Sequence, residues 1–198
     1  LLVVVHPSLP VNSVKELIAL AKAKPNALNY ASNGIGTSTH LATEMFSMMA
    51  GVKLLHVPYK GLSIAMTDLM SGQVPLMFSS AVAMLPHAKS GKLRAIAMTG
   101  ATRSAALAGV PTVAEAGLPG FEAGSWYGIV APAHTPRAIS DRLNSEIVAA
   151  VKSNDINDRL IREAVIPGGT TPEAFAAHIK AEYERMGRVI RDAKIVLD

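Results

Sequence analysis

The fold is decided by residues 28–50, which read LNYASNGIGTSTHLATEMFSMMA. Residues 28–31 predict a short strand, and residues 38–50 predict a helix because their apolar side chains recur at helical spacing. The predicted buried stripe of that helix consists of Leu41, Met45, Met48 and Met49. Gly51 then ends the helix, since glycine favours the left-handed conformation that often follows a last helical turn. A strand, a glycine-rich turn and a helix in this order form one βα unit.

The same alternation continues on both sides of this unit. Before it, residues 3–5 predict a strand, and Ser13 and Glu16 form a capping box at the start of a helix. After it, strands are predicted at residues 54–57, 74–78 and 93–98, with helices at 62–70 and 82–89. Strands separated by helices of about ten residues are typical of βαβ crossovers, which give a mainly parallel sheet. This half of the chain therefore belongs to the α/β class.

The pattern changes in the second half of the chain. Residues 100–122 are rich in turn-forming residues, and residues 126–131 predict a single further strand. Two later helices are predicted to have their N-caps at Thr135 and Thr170. One strand offers these helices too little sheet surface for an independent domain. We therefore expect two units, 1–122 and 123–198, of which the second is incomplete by itself.

Composition limits the possible functions. Of the 198 residues, 49% are hydrophobic and 17% are charged, which is typical of a globular protein rather than a disordered one. The sequence has no apolar run of the ~20 residues that a membrane-spanning helix needs. It has no cysteine, which excludes disulfides and cysteine nucleophiles. The net charge of +4 fits an anionic ligand, and it equally fits a charge that keeps a small domain soluble. Lys and Arg are scattered, which gives no support for nucleic-acid binding.

The common catalytic motifs are missing from the sequence. It contains no G-x-S-x-G, H-E-x-x-H or P-loop pattern. Gly34 and Gly36 resemble the start of a dinucleotide-binding fingerprint, but Thr39 occupies the position of its third glycine. His40 and Glu44 lie four residues apart on one helix face, yet two ligands do not make a zinc site. We therefore expect no enzyme activity, no bound metal and no cofactor.

The most informative candidate site is the turn at residues 32–40. Its two glycines allow the backbone to approach a ligand closely, and the free N–H groups of the following helical turn favour an anion. The candidate ligand-binding residues in this turn are Ser32, Asn33, Gly36, Thr37, Ser38 and His40. An ordinary capped βα turn explains the same residues, so both interpretations stay open.

Two further predicted βα turns carry polar residues. Tyr59 and Lys60 follow one strand, and Ser79 and Ser80 follow the next. Because the βα turns of a parallel sheet lie at its carboxyl edge, we expect these four residues to converge with the turn at 32–40. Taken singly, the turn with Tyr59 and Lys60 is better explained as an ordinary turn with one solvated lysine, so the prediction of a site depends on the convergence of all three turns. Trp126, near the predicted boundary, either lines a cleft or belongs to the core.

Characteristic segments follow one another along the chain: LNYASNGIGTSTHLATEMF, HVPYKG, DLMSGQV, GKLRAIAMTG, VPTVAEAGLPGFE, SWYGIVAPAHTP and TPEAF. In this order and spacing, the sequence resembles the substrate-binding proteins of tripartite tricarboxylate transporters, the Bug family of periplasmic receptors. The resemblance implies a type II periplasmic-binding-protein fold, or Venus flytrap, whose two lobes enclose a small carboxylate without transforming it. It also implies a periplasmic location and the membrane components of a tripartite transporter as partners.

The same resemblance implies how the chain is divided. Residues 1–122 would form the second lobe, and residues 123–198 the C-terminal part of the first lobe. The turn at 32–40 would hold the carboxylate, with Thr37 and Ser38 at the helix start. The resemblance further implies that about the first third of such a receptor lies outside this sequence, by comparison with the usual size of a two-lobed domain.

Alternatives remain for both function and assembly. A ligand-sensing domain of a regulator has the same fold class, and a truncated relative that no longer binds ligand fits the sequence as well. A hydrolase that assembles Ser, His and Asp from separate loops is a further alternative that no motif supports. Apolar side chains around Ile147 and Ile179 are expected to be exposed in an incomplete lobe, which would favour a homodimer.

Overall fold

The computed structural model describes residues 1–196. In this part of the chain the strands are β1 (Leu2–Val5), β2 (Asn29–Ser32), β3 (Leu55–Pro58), β4 (Leu76–Ser79) and β5 (Arg94–Met98). The helices are α1 (Val14–Ala23), α2 (Ser38–Ala50), α3 (Leu62–Ser71), α4 (Ala81–Lys89), α5 (Arg137–Lys152), α6 (Asn154–Arg162) and α7 (Pro172–Asp192). None of these helices is long and apolar enough to cross a membrane.

The five strands form one sheet in the order β3-β2-β4-β1-β5. β2 is parallel to both β3 and β4, whereas β1 is antiparallel to β4 and β5. Four of these strands therefore run in one direction, which confirms the predicted mainly parallel α/β sheet. β1 is the exception, and its run of buried valines could not have revealed it because apolar patterning carries no information on strand direction.

A hydrophobic layer covers each face of the sheet. On one face, Phe46 of α2 is fully buried, with its ring centroid 5.4 Å from that of Phe78 and 6.0 Å from that of Phe121. On the other face, Met77 of β4 packs with Leu69 of α3. Successive side chains of a strand point to opposite faces, so each strand supplies both layers.

Two predicted details are wrong. Met48 and Met49, assigned to the buried stripe of α2, are each 43% exposed, and the helix instead buries Ala42, Phe46 and Ala50. The apolar residues of α2 lie on several sides of the helix, so their spacing alone did not show which side packs against the sheet. Residues 126–131 form no strand, because no other segment among residues 1–196 pairs with them.

The N-caps of two helices in the second half are each displaced by one residue from their predicted positions. α5 begins at Arg137 with Pro136 as its N-cap, and the hydroxyl of Thr135 donates to the carbonyl of Pro132 instead. The N-cap of α7 is Thr171, whose hydroxyl accepts from Ala174 N–H at 3.2 Å. Adjacent threonines at 170 and 171 both fit a cap by residue type, and the structure selects the one that precedes Pro172.

A stack of three rings attaches the edge strand β3 to its neighbours. The centroid of the His56 ring lies 4.8 Å from that of Tyr30 and 3.9 Å from that of His40, and all three planes are nearly parallel. His56 Nε2 also lies 2.6 Å from Ser32 Oγ. Burial lowers the pKa of His56 to about 4, with a smaller contribution from His40. Burial lowers the pKa of His40 as well, against the opposing charge of Glu44.

We expect Phe46→Ala to reduce the free energy of unfolding by about 3–5 kcal/mol, because the truncation leaves a cavity between α2 and the sheet. Met48→Ala, on the exposed side of the same helix, should change it by less than about 1 kcal/mol. Urea unfolding followed by circular dichroism measures both. Equal losses in the two variants would show that the core face of α2 is assigned incorrectly.

We also expect the free energy of unfolding to fall as the pH is lowered from 7.5 to 5. Unfolded His56 takes up a proton near its ordinary pKa of 6.5, while the folded ring takes it up only near 4. The stabilisation is therefore complete above pH 6.5 and is lost progressively toward pH 4. Because the ring is only partly buried, solvent screening limits the effect to about 1 kcal/mol.

His56→Gln provides the test, since glutamine keeps a hydrogen-bonding group near Ser32 but cannot take up a proton. The variant should lose less stability between pH 7.5 and pH 5 than the unchanged protein. His178→Gln, on the exposed surface of α7, is the matched control. The same pH dependence in His56→Gln and in the unchanged protein would contradict the assignment.

Candidate functional site

Three βα turns meet at one edge of the sheet. β3, β2 and β4 are neighbours and run in the same direction, so the turns that follow them lie side by side. Tyr59 N–H donates to Ser32 O at 3.2 Å, which joins the first two turns directly. Gly34 has a φ of +135°, and an added Cβ would lie 3.3 Å from Tyr59 O, so a side chain there is disfavoured by both conformation and space.

The threonines in the turn between β2 and α2 are used mainly inside the turn. Thr37 is the N-cap of α2, and its hydroxyl donates to Gly34 O at 2.7 Å. The hydroxyl of Thr39 is 3.0 Å from that of Thr37 and accepts from Asn33 N–H at 3.0 Å. Thr39 is buried. These hydrogen bonds fix the shape of the turn.

The first backbone amides of α2 are the groups left for a ligand. The N–H groups of Ser38 and Thr39 have no acceptor among residues 1–196. They lie at a helix N-terminus, where the helix dipole also favours a negative charge. The hydroxyl of Ser38 is exposed and accepts from Ser125 Oγ at 2.8 Å. This turn can therefore hold an anion through backbone amides without a cationic side chain.

His40 supports the turn from the protein side. It is buried, and its Nδ1 accepts from Gly36 N–H at 3.1 Å, so the ring is neutral with its proton on Nε2. Its Nε2 lies 4.0 Å from Glu44 Oε1, and Glu44 accepts a short hydrogen bond of 2.5 Å from Tyr30 Oη. Burial and this partner raise the pKa of Tyr30. Residues 1–196 contain no group of three or more His, Asp or Glu side chains arranged to hold a metal ion.

The other two turns contribute polar groups of different kinds. Tyr59 Oη donates to Asp68 Oδ2 at 2.7 Å, and burial together with this bond raises the pKa of Tyr59 to about 12. Lys60 is exposed. Ser79 is completely buried at the end of β4, and its Oγ has no partner among the described residues. Ser80 is the N-cap of α4, and its side chain makes no capping hydrogen bond.

A half-open cavity of about 480 Å³ lies beside Ser38, between α2 and α7. Met45 of α2 and Ile179 and Tyr183 of α7 form its apolar walls. Trp126 lies at the same cavity, and its ring packs edge-on against Phe175 with the centroids 5.5 Å apart. Trp126 was expected to line a cleft or join the core, and the structure supports the cleft. The cavity itself was not predicted, because it requires two helices that are far apart in the sequence, α2 and α7, to face each other. Only their apolar stripes gave a signal.

Comparison with known proteins places this geometry in a family. The family model described as a tripartite tricarboxylate transporter family receptor matches residues 1–195. The chain is 39% identical over 183 residues to the UPF0065 protein in the tcbD-tcbE intergenic region of Pseudomonas sp. (strain P51). It is 35% identical over 192 residues to Protein BugT of Bordetella pertussis. These matches cover 92% and 97% of this chain but 54% and 59% of the two relatives, so the chain spans little more than half of their length.

Solved structures are similar over nearly the whole chain. Rpa4515 of R. palustris with adipate matches with a TM-score of 0.91 and 38% identity, covering 98% of this chain and 65% of that one. MatC (Rpa3494) from Rhodopseudomonas palustris with bound malate matches with a TM-score of 0.83 and 28% identity, covering 96% and 65%. The family model and these identities agree. The chain belongs to the tripartite tricarboxylate transporter receptor family.

Proposed function

We propose that this chain is the ligand-capturing part of a periplasmic receptor that binds a small carboxylate and delivers it to the membrane components of a tripartite tricarboxylate transporter. The observation that carries the proposal is the pair of free amides, Ser38 N–H and Thr39 N–H, at the edge where three βα turns meet. Relatives with this fold have been solved with adipate and with malate, which are both dicarboxylates. The receptor binds its ligand and does not transform it.

The strength of the contacts indicates how the site works. A hydrogen bond to a charged group contributes about 1.5–3 kcal/mol, so two amides supply about 3–6 kcal/mol. Association itself costs about 4 kcal/mol or more in lost translational and rotational freedom. The two amides alone therefore do not hold a carboxylate tightly. The ligand needs further contacts, and we expect the turns that contain Tyr59, Lys60, Ser79 and Ser80 to supply them.

We further propose that residues 1–122 form one lobe of the receptor and that residues 123–198 belong to the other. The sheet lies within the first range, and so do its two hydrophobic layers apart from Ala123. In the second range, residues 126–131 extend without a sheet partner, and Tyr127 and Val130 are 87% and 78% exposed. Such apolar exposure is typical of a segment that packs against additional protein.

We expect isothermal titration with a panel of mono-, di- and tricarboxylates to detect binding of at least one of them at pH 7.5. Thr37→Val should weaken that binding by about 1–3 kcal/mol, because it removes the hydroxyl that caps α2 and shapes the turn. Thr37→Ser, which keeps the hydroxyl, should bind as the unchanged protein does.

Thr170→Val is the matched control, since this threonine is exposed and lies outside the site. It should leave the affinity unchanged. If none of the carboxylates in the panel binds, the proposed function is refuted. Equal affinities for Thr37→Val and Thr170→Val would remove the turn between β2 and α2 from the site.

A further inference from the structure

His40 is the third residue of α2 and forms two hydrogen bonds to the turn before the helix. Its backbone N–H donates to Thr37 Oγ1 at 3.5 Å, and its Nδ1 accepts from Gly36 N–H at 3.1 Å. In a capping box a Glu or Gln at this position accepts from the backbone before the helix in a similar way. Here the acceptor is a neutral imidazole, which brings no negative charge close to the free amides of Ser38 and Thr39.

The hydrogen bond to Gly36 requires an unprotonated ring nitrogen. Gly36 has a φ of +74°, so the backbone adopts the left-handed conformation at this point of the turn. Its N–H can bond to His40 Nδ1 only while this nitrogen carries no proton. A proton on Nδ1 would place two donors opposite each other, and the two groups would have to separate. Because Gly36 lies two residues before Ser38, such a movement would displace the amides that are proposed to hold the carboxylate.

Three titratable groups face the ring of His40. From β3, the His56 ring stacks on it with the centroids 3.9 Å apart, and from β2 the Tyr30 ring lies at 6.4 Å. From α2 itself, Glu44 Oε1 lies 4.0 Å from Nε2 and already accepts a hydrogen bond from Tyr30 Oη. Burial lowers the pKa of His40 from 6.5, against the opposing effect of Glu44. The ring is therefore neutral at pH 7.5 and takes up a proton only under acidic conditions.

We infer that His40 is the positioning residue of the carboxylate site: its neutral ring holds Gly36 in place, and protonation of the ring releases the turn and weakens ligand binding. This inference rests on the proposed function and adds a control of affinity by pH. The binding-competent form is the unprotonated one, so proton and carboxylate exclude each other although they occupy different atoms. The affinity should be complete above pH 6.5 and should fall as the pH is lowered through the pKa of His40.

His40→Asn and His40→Leu form a matched pair of variants. Asparagine and leucine are similar in size, and only asparagine has an acceptor near the position of Nδ1. Both variants lose the stack with His56, so a purely structural role would lower the stability of both and leave their affinities equal. Isothermal titration at pH 7.5 should show about 5-fold tighter binding to His40→Asn than to His40→Leu, the effect of one hydrogen bond. The probes are adipate and malate, which the solved relatives bind, and otherwise the panel member that binds most tightly.

The pH dependence of the affinity gives a second measurement. Between pH 7.5 and pH 5, the unchanged protein should lose at least about 2-fold more affinity than His40→Asn, as linkage requires for a ring that is half protonated at the lower pH. The carboxyl groups of the probe titrate equally in both experiments, so the comparison cancels their contribution. His178→Gln, on the exposed surface of α7, should keep the pH dependence of the unchanged protein.

NMR spectroscopy of the protein without ligand separates the inference from the proposed function. At pH 7.5 the ¹⁵N shifts of the His40 ring should show a proton on Nε2 and none on Nδ1. On acidification, the amide signals of Gly36 and Ser38 should shift with the same midpoint as the ring. This titration and the comparison with His40→Asn decide the inference if His40→Leu does not fold.

Four results would each overturn the inference and leave the proposed function standing. They are a proton on Nδ1 at pH 7.5, amide signals that do not follow the ring, equal affinities of His40→Asn and His40→Leu, and an affinity that does not fall on acidification relative to His40→Asn. A rise in affinity would show that the charge of the ring attracts the carboxylate more than the turn suffers from it. If no carboxylate binds, the proposed function fails and the effect on affinity fails with it, while the NMR titration still decides whether His40 holds the turn.

Discussion

The parallel pairing of β2 with both β3 and β4 is the constraint on which the site depends. Because the three strands are neighbours and run in one direction, the βα turns that follow them lie at one edge of the sheet. Antiparallel pairing of any one of these strands would move its turn to the other end of the sheet. β1 is antiparallel to β4, and the turn that follows it accordingly lies at the other end of the sheet.

At that edge, most of the polar groups in the turn between β2 and α2 form hydrogen bonds inside the turn, and only a few are left for a ligand. The hydroxyls of Thr37 and Thr39 and the ring of His40 bond to the backbone of the same turn. This fixes the turn in advance, so a ligand does not have to order it on binding. The first amides of α2, those of Ser38 and Thr39, have no acceptor among the described residues. The residues with the most evident binding chemistry in the sequence are thus largely structural.

The sequence predicted the elements of the sheet well because the strands are short and the first four are each followed by a helix with a clear start or end signal, such as the capping box of α1 and Gly51 after α2. The turn at 32–40 could be identified for the same reason. Three features could not be predicted from local patterns. The core face of α2 depends on which side of the helix meets the sheet. Whether residues 126–131 form a strand depends on whether another strand pairs with them. The hydrogen bond from Tyr59 Oη to Asp68, nine residues later on α3, depends on how that helix packs.

The partial prediction of the site has a common physical origin. Residue type shows what a side chain is able to bond, but whether it is free to do so depends on tertiary neighbours. Ser32 and Ser79 both end a strand and have the same side chain. The hydroxyl of Ser32 lies 2.6 Å from Nε2 of His56 on β3, whereas Ser79 Oγ has no partner among the described residues. The difference arises from the face of the sheet on which each serine lies, and that face follows from the register of β2 and β4.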